Sequence, residues 1–219
     1  EFNVLDDADA IAIEVAASGS GAGSLDEANS VVVESGAAVT ASQAETIQDI
    51  VGYSGAASDY DITDSASNLI SAGDEVLNVT GVDIVTANDT SVNASIGGDL
   101  AGFTADIEFD VVDNAAGLIA EMGGADVAGQ LTEANSITVD DGQGGQVVNA
   151  NDGAILAGFT ADVAFDVTDN ANAVAAEVTG SNGAGDLDEA NTVVVSDGDV
   201  TASAVSYTHL RAHETLRYL

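Results

Sequence analysis

The feature that most constrains this chain is an internal repeat. The stretch 101–121, AGFTADIEFDVVDNAAGLIAE, recurs at 157–177 as AGFTADVAFDVTDNANAVAAE, a shift of 56 residues. Weaker copies lie at 60–72 and at 2–14. A repeat of this size predicts units that stack on their neighbours, because one unit alone cannot bury its apolar face.

Each copy contains three short phrases. The aromatic phrase ends in an aspartate, and its four copies are aligned on Asp6, Asp64, Asp113 and Asp169, at spacings of 58, 49 and 56. The LDEAN phrase lies at 25–36, 131–142 and 187–198. The VTAS phrase begins at positions 39, 92, 148 and 200. Residues 1–204 therefore form a repeat array of three complete copies, the last complete one at 113–168, and a truncated fourth.

The aromatic phrase predicts a strand followed by a helix. Phe165, Val167 and Asp169 are two apart, so they share one face of a strand. Stacked in register, the equivalent aromatic residues would form a ladder in the core: Phe2, Tyr60, Phe109 and Phe165. The aspartate is expected to be the N-cap of the helix that follows. Apolar pairs four apart predict the buried face of that helix: Ile11 with Val15, Leu118 with Met122, and Val174 with Val178.

The remaining phrases complete the unit. SITVDDG and TVVVSDG predict a second strand that ends in a turn. SQAE, residues 42–45, fits a capping box that opens a short helix. The unit is strand, helix, strand, short helix, and strands joined through helices are expected to be parallel. This predicts an α/β solenoid rather than separate β-sandwich modules, which need about 100 residues each.

The charge of the chain limits its partners. The whole chain has 38 acidic and 2 basic residues, and residues 1–204 carry 37 of the acidic residues with no Lys, Arg or His. This excludes nucleic acid as a partner, because phosphate binding requires Lys and Arg. It also disfavours anionic membrane surfaces. We expect salt or divalent cations to stabilise such a chain by screening its self-repulsion.

The apolar content predicts a folded chain. Hydrophobic residues make up 46% of the sequence, which is too many for an acidic disordered tail. There is no Cys, so disulfides and thiolate metal sites are excluded. No apolar run approaches the roughly 18 residues that a membrane span requires, so no membrane insertion is expected.

The repeat resembles a known family. TASQAETIQDIVGYSGAASDYDITDSASNL and FDVTDNANAVAAE are similar to the Ala/Thr/Asp-rich tandem repeats of giant surface and secreted proteins of cyanobacteria and marine proteobacteria. Ser65, Asn114 and Asn170 stand where the family phrase has Thr, and the spacing is less regular. The resemblance covers residues 1–204. It implies an extracellular structural or adhesive stalk, often in calcium-binding proteins, and no enzymatic chemistry.

Calcium is the sharpest ligand hypothesis. Asp140–Asp141–Gly142 and Asp197–Gly198–Asp199 place oxygen ligands beside turns. However, no stretch fits an EF-hand loop or the calcium-binding nonapeptide repeat. We therefore favour the interpretation that these carboxylates form turns and a solvated surface. The aligned aspartates could likewise form a ladder of cation ligands, but their position before a helix favours capping. No metal or cofactor residues are assigned.

Catalysis has no candidate residues in residues 1–204. There is no His to act as a base, and paired carboxylates arise by repetition rather than as one constellation. Ser and Thr lack a partner that could activate them. We predict that the chain is not an enzyme.

The C-terminal residues 205–219, VSYTHLRAHETLRYL, differ sharply in composition. They contain Arg211, Arg217, His209 and His213, which are all the basic residues of the chain. Back-translated, VSYTHLRAHET (205–215) resembles a sequencing-library adapter. We therefore treat 205–219 as a non-native tail and expect residues 1–204 to be a metagenomic fragment of a longer protein. HLRAH lacks the Glu of the zinc-protease motif, so the two histidines are not assigned to a metal.

These observations predict a structural or adhesive repeat segment of a large extracellular bacterial protein. Its partners would be neighbouring repeats of the same chain and components of the cell surface or matrix. Two alternatives remain open at this point. One is a calcium-stabilised surface-layer or matrix component, and the other is an accessory repeat region of a secreted hydrolase.

Overall fold

The computed structural model describes residues 2–17, 23–34, 37–122, 130–159, 161–179 and 187–197 of the chain. The tail at 205–219 lies outside these residues. The chain divides into two compact units. Unit 1 comprises Glu1–Val112 and Ala125–Ile137, and unit 2 comprises Asp113–Gly124 and Thr138–Leu219.

The described elements are short strands, α-helices and 3-10 helices. The strands are β1 Asn3–Asp7, β2 Ser30–Glu34, β3 Tyr60–Asp64, β4 Val82–Ala87, β5 Ile107–Glu108, β6 Asp110–Asp113, β7 Ser136–Val139, β8 Val147–Val148, β9 Val163–Ala164, β10 Asp166–Asp169 and β11 Val193–Val195. The α-helices are α1 Ala8–Ala17, α2 Ala41–Gln48, α3 Ala66–Ala72, α4 Asp74–Leu77, α5 Ala94–Ala101, α6 Ala115–Met122, α7 Ala150–Ala157 and α8 Ala171–Thr179. Short 3-10 helices lie at Gly23–Glu27, Gly55–Ala57, Gln130–Glu133 and Leu187–Glu189. A strand followed by a helix and a second strand, as predicted, is found at β1–α1–β2, and the other copies add a second helix or a second short strand to this order.

Unit 1 contains two parallel sheets whose strands interleave along the chain. In the first sheet β1 pairs with β2, and Tyr53 bridges the other edge of β2 at Val31. In the second sheet β3, β4 and β5 pair in that order, and Val39 bridges the free edge of β3 at Ile62. The chain therefore leaves the first sheet at Val39, returns to it at Tyr53, and leaves again at β3.

Unit 2 contains a sheet with the same strand arrangement. Its order is β8, β10, β11, and all pairs are parallel. Strand β8 belongs to the VTAS phrase and occupies the edge of β10 that Val39 occupies on β3. The predicted α/β class with parallel strands is confirmed, because the paired strands within these sheets are parallel and helices lie between them in the sequence.

The helices within each unit pack in series. In unit 1, α1 contacts α2, α2 contacts α3, and α3 contacts α5. In unit 2, α7 contacts both α6 and α8. None of the helices in the described part of the chain is long and apolar enough to cross a membrane.

The predicted helix faces are confirmed in part. Ile11 and Val15 are buried on α1, and Leu118 is buried on α6. Met122 is half-buried, and the prediction for Val178 is wrong, since it is 44% exposed. The spacing of apolar residues selects one face of a helix, but burial also requires an element that covers that face, and none of residues 171–178 of α8 is buried.

Three of the four aromatic residues of the predicted ladder are buried. Tyr60, Phe109 and Phe165 are each at most 3% exposed, whereas Phe2 is 45% exposed. Helices cover the buried rings. A Cβ atom added at Gly153 of α7 would lie 3.3 Å from Phe165 Cε2, and Gly97 of α5 has the same relation to Phe109.

The helix that covers Tyr60 also hydrogen-bonds to it. The side-chain amide of Gln48, the last residue of α2, donates to the Tyr60 hydroxyl at 2.9 Å. Burial raises the pKa of Tyr60, and the bond from Gln48 only partly opposes that shift. Among the described residues, no helix of the VTAS phrase covers β1, and for this reason the prediction of a buried Phe2 is wrong.

The VTAS phrase supplies helix N-caps. Thr40, Asn93 and Asn149 cap α2, α5 and α7, and each side-chain oxygen accepts the N–H three residues later. A capping box opens α2, but it pairs Thr40 with Gln43 rather than Ser42 with Glu45. The predicted capping box therefore lies two residues too late in the sequence. Thr and Ser both satisfy the motif, and the N-cap is Thr40 because the helix begins at Ala41.

Candidate functional site

The repeated aspartates lie at the N-termini of helices. Asp64 ends β3, and its Oδ2 accepts the N–H of Ala41, the first residue of α2, at 3.1 Å. In unit 2, Asp169 ends β10, and its Oδ2 accepts the N–H of Ala150, the first residue of α7, also at 3.1 Å. In both cases the acceptor belongs to the aromatic phrase and the helix to the VTAS phrase that precedes it in sequence.

A second pair of aspartates accepts hydrogen bonds from the helices of the aromatic phrases. Asp89 follows β4, and its Oδ2 accepts the N–H of Ala66, the first residue of α3, at 2.6 Å. Asp197 follows β11, and its Oδ1 accepts the N–H of Ala171, the first residue of α8, at 2.8 Å. We call these four residues the cap-accepting aspartates: Asp64 and Asp89 in unit 1, and Asp169 and Asp197 in unit 2.

The prediction that the repeated aspartates are N-caps is wrong by one residue. The cap of α3 is Ser65, and Asn114 and Asn170 accept the N–H groups of Gly117 and Ala173 in the same way. The aspartates instead accept the N–H of the residue that follows them, as Asp6, Asp64, Asp113 and Asp169 all do. A carboxylate has two oxygens, so one can hold its own chain while the other holds a different helix.

These contacts supply the positive partial charge that the sequence lacks. Residues 1–204 contain no Lys, Arg or His. The first N–H groups of a helix have no partner within the helix and carry a partial positive charge. Each cap-accepting aspartate satisfies one such group. In this chain, helix N-termini take the place that basic side chains hold in an ordinary α/β protein.

The same contacts affect ionisation. The N–H groups of Ala150 and Asn170 lower the pKa of Asp169 below its ordinary value of 3.8. For Asp74, desolvation raises the pKa, but hydrogen bonds from Ala105 and Thr104 outweigh it, so the pKa is lowered. Asp74 thereby fixes the loop before β5, since its Oδ1 accepts the N–H of Thr104 at 2.8 Å.

We expect Asp169→Asn to reduce the acid sensitivity of the protein. A carboxylate with a lowered folded-state pKa stabilises the fold above its unfolded pKa, near 3.8, and this contribution disappears as the pH falls through the lower folded value. The difference in unfolding free energy between wild type and Asp169→Asn should therefore shrink as the pH falls below about 3.8. Urea denaturation between pH 6 and about pH 2.5 measures it.

The matched control for this measurement is Asp162→Asn. Asp162 is exposed, and its substitution changes the net charge by the same amount. The difference in unfolding free energy between wild type and Asp162→Asn should not shrink in this way as the pH falls. If both differences shrink equally, general charge repulsion, rather than the contact with Ala150, determines how the unfolding free energy falls at acidic pH.

The candidate calcium ligands are engaged in local hydrogen bonds. Asp140 Oδ1 accepts the N–H of Gly142 at 2.9 Å. Asp141 Oδ1 accepts the N–H groups of Gln143 and Gly145, which lower the Asp141 pKa. In the second cluster Asp197 is a cap-accepting aspartate, and Gly198 and Asp199 lie outside the described residues. Within the described part of the chain, no group of three or more metal-ligating side chains is gathered.

Because Asp140 and Asp141 are held by the N–H groups of their own turn, we expect calcium to act at this cluster only through ionic strength. Circular dichroism should report the same gain in structure for calcium and sodium at matched ionic strength, because screening depends on ionic strength alone. Magnesium is the control for divalent charge. A calcium response that saturates at low concentration and is absent with magnesium would instead indicate a specific oxygen-ligand site.

Sequence reasoning missed two features of this site. Asp89 was not singled out, and the contacts between phrases were not anticipated. One signal was present: an aspartate follows the second strand at Asp89, Asp141 and Asp197 in three copies. Its recurrence near a row of helix N-termini could have indicated an acceptor shared between neighbouring phrases.

The arrangement of the cap-accepting aspartates serves to position helices. Each carboxylate holds an N-terminus, and the described contacts join one phrase to another. Comparison with protein-family models, with curated proteins and with solved structures finds no match to this chain.

Proposed function

We propose that residues 1–204 are part of a solenoid that serves as a structural and adhesive spacer in a large extracellular bacterial protein, without a catalytic role. The observation that carries the proposal is the interleaving of the sheets in unit 1. Val39 bridges β3 and Tyr53 bridges β2, so the segment between β2 and β3 contributes to two successive sheets. A chain that builds each sheet partly from the next copy can be extended by adding copies.

The positions at which the copies agree also support a structural role. The aromatic residue is a core position in three copies, and the aspartate holds a helix N-terminus in both Asp64 and Asp169. The first residue of the VTAS-phrase helices is always a buried Ala, namely Ala41, Ala94 and Ala150. Residues that recur for packing and capping suit a spacer, whereas a catalytic site requires reacting groups that are brought together in one pocket.

The location outside the cell is supported by the sequence. The tandem phrases resemble those of giant surface and secreted proteins, and residues 1–204 carry a dense negative charge without a basic residue. Such a surface stays soluble and resists nonspecific association. These are the properties that a spacer between a cell and its surroundings requires.

Deletion of one whole copy tests the proposal. Removal of residues 113–168 joins Val112 to Asp169, so that FDVV runs into DNANAV as it does in an intact copy. If the copies are interchangeable units of a solenoid, the shortened chain should retain its circular dichroism spectrum per residue and its cooperative unfolding. Its stability should be lower by roughly the contribution of one repeat and its interface.

The control is a deletion of residues 113–140, which removes half a copy and joins two positions that are not equivalent. We expect this shorter deletion to unfold the neighbouring sheets. If the two deletions are equally disruptive, the chain is one globular domain and the solenoid proposal fails. If both are tolerated, the copies do not depend on their neighbours, and the proposal fails as well.

A further inference from the structure

Each described helix of the VTAS phrase packs on an aromatic strand and on a short helix that follows that strand. Helix α5 packs on Phe109 and contacts the 3-10 helix Gln130–Glu133, and α7 packs on Phe165 and contacts the 3-10 helix Leu187–Glu189. Helix α2 hydrogen-bonds to Tyr60 and contacts α4 instead. We call the first two arrangements the Phe joints and the third the Tyr joint. All parts of each joint lie within one compact unit.

The Phe joints depend on a glycine in the helix. A Cβ atom added at Gly97 would lie 2.8 Å from Val111 Cγ2, and one added at Gly153 would lie 2.7 Å from Val167 Cγ2. Carbon atoms pack best at about 3.5 to 4.0 Å. In both Phe joints the helix and the strand are therefore too close together to accept Ala at this position.

The Tyr joint has a different set of contacts at the same positions. Ala44 of α2 aligns with the two glycines, and it is fully buried. Gln48 stands where the helices of the Phe joints have Ala. Its side-chain amide donates to the Tyr60 hydroxyl and to the carbonyl of Val76 in α4, both at 2.9 Å. One side chain thus connects the helix, the strand and the following short helix.

These differences make each joint selective for its own helix. On a Phe strand, α2 would bring the Ala44 methyl group against the valine side chain, and Gln48 would face a ring without a hydroxyl. On β3, α7 would leave the buried Tyr60 hydroxyl without the Gln48 donor, and an unsatisfied buried group is unfavourable. We propose that the aromatic strand and the short helix of each joint form a binding surface that accepts only one class of VTAS-phrase helix, so that the Tyr joint fixes the order of copies in the array.

Selectivity of this kind is useful in a tandem repeat. The stretches 101–121 and 157–177 are closely similar, and repeat proteins are prone to misassembly between similar units during folding. Discrimination between partners requires an unfavourable contact with the wrong partner as well as a favourable contact with the right one. Here the glycine position supplies the first, and the bond between Gln48 and Tyr60 supplies the second. The inference rests on the proposed function in one respect, namely that the copies form an array.

An exchange of two helices tests the proposal on the full 219-residue chain. Residues 39–48, VTASQAETIQ, and residues 148–157, VNANDGAILA, have the same length, and each contains one acidic residue. A chain in which the two segments are exchanged therefore keeps the composition and the net charge of the wild type. Its unfolding equilibrium constant, measured by urea denaturation, should increase by at least about 100-fold, because both joints would then hold the wrong helix.

The matched control exchanges two helices of the same class. Residues 92–101, VNASIGGDLA, and residues 148–157 both come from Phe joints, and each contains one acidic residue. This exchange should change the unfolding equilibrium constant by less than about ten-fold. If the exchange between a Tyr joint and a Phe joint is no more disruptive than this control, the joints do not select their helices and the proposal fails.

Point variants keep the test decisive if the exchanged chain does not fold. Gly97→Ala should increase the unfolding equilibrium constant by about ten-fold or more, because the added methyl group overpacks the joint. Gly98→Ala in the same helix is the control. It should stabilise the protein, because Ala favours the helix more than Gly and Ala154 holds the equivalent position in α7. A stabilising Gly97→Ala would overturn the proposal.

The Tyr joint is tested by a double-mutant cycle of Gln48→Ala and Tyr60→Phe. We expect the two changes to be coupled by about three-fold or more in the unfolding equilibrium constant, and strictly additive effects would overturn the proposal. These outcomes are separate from those of the copy deletion. Deletion of residues 113–168 leaves the joint between Gly97 and Phe109 in place, so it can succeed even if the joints prove not to be selective.

Discussion

Phe165→Ala should destabilise the protein by about 3 to 5 kcal/mol, the usual loss for a buried aromatic side chain replaced by Ala. Phe165 is fully buried. Helix α7 lies directly on its ring at Gly153, a position where even a Cβ atom would approach Val167 Cγ2 to 2.7 Å. Such close packing leaves little room for the helix to collapse into the cavity, so the upper part of the range is expected.

Phe2→Ala is the matched control for this substitution. Phe2 holds the same position in the repeat but is 45% exposed. Its replacement should cost less than about 1 kcal/mol. Urea denaturation of both variants gives the comparison. Equal losses would mean that an element covers β1 in the isolated chain, and a loss below about 1 kcal/mol for Phe165→Ala would mean that this ring is not part of a packed core.

Asp64→Ala should cost about 2 to 4 kcal/mol, because several donors lose their acceptor at once. Asp64 is 8% exposed. Its carboxylate accepts the N–H groups of Ala41 and Ser65 and the side-chain amide of Asn68. The N–H of Ala41 is buried at the start of α2 and would be left without this acceptor.

Asp6→Ala provides the control for the aspartate. Asp6 has the same repeat position, but it is exposed and its carboxylate accepts the N–H of Asp7. Its replacement should change the stability by no more than about 0.5 kcal/mol. Hydrogen exchange adds a local test, because the amide of Ala41 should lose protection in Asp64→Ala and keep it in Asp6→Ala. Unchanged protection in both variants would show that another group holds the N-terminus of α2.

The sequence was sufficient to predict the main strands and helices and the α/β class of the fold, but not α4 or the short strands β5 and β9. The aromatic phrase and the second half of the LDEAN phrase contain strands, a helix lies between them, and the paired strands are parallel. These features depend on local periodicity and on the rule that connects a strand through a helix to a parallel strand. Both can be recognised in one copy of the repeat.

The pairing between phrases could not be predicted in the same way. A repeat shows that Val39 and Val148 are equivalent positions, but it does not show which strand they lie beside. Val39 pairs with Ile62 of β3, although Tyr53 lies between them in the sequence and pairs with a different sheet. This pairing depends on contacts between distant residues. The prediction of the N-caps was wrong for a related reason. Asp64 and Ser65 are both suitable caps in the sequence, and only the contact of Asp64 with Ala41 of the neighbouring helix shows which residue caps α3.

The interleaving of strands affects how tension would pass through this chain. Independent domains linked in series unfold one at a time under tension, because the hydrogen bonds of each domain lie within that domain. Here the stretch from β2 to β3 places Val39 in one sheet and Tyr53 in another. A pull on the ends would load both backbone ladders together, and rupture of one sheet would strip an edge from the next. We expect such a chain to resist the onset of extension and then to lengthen as breakage spreads from sheet to sheet.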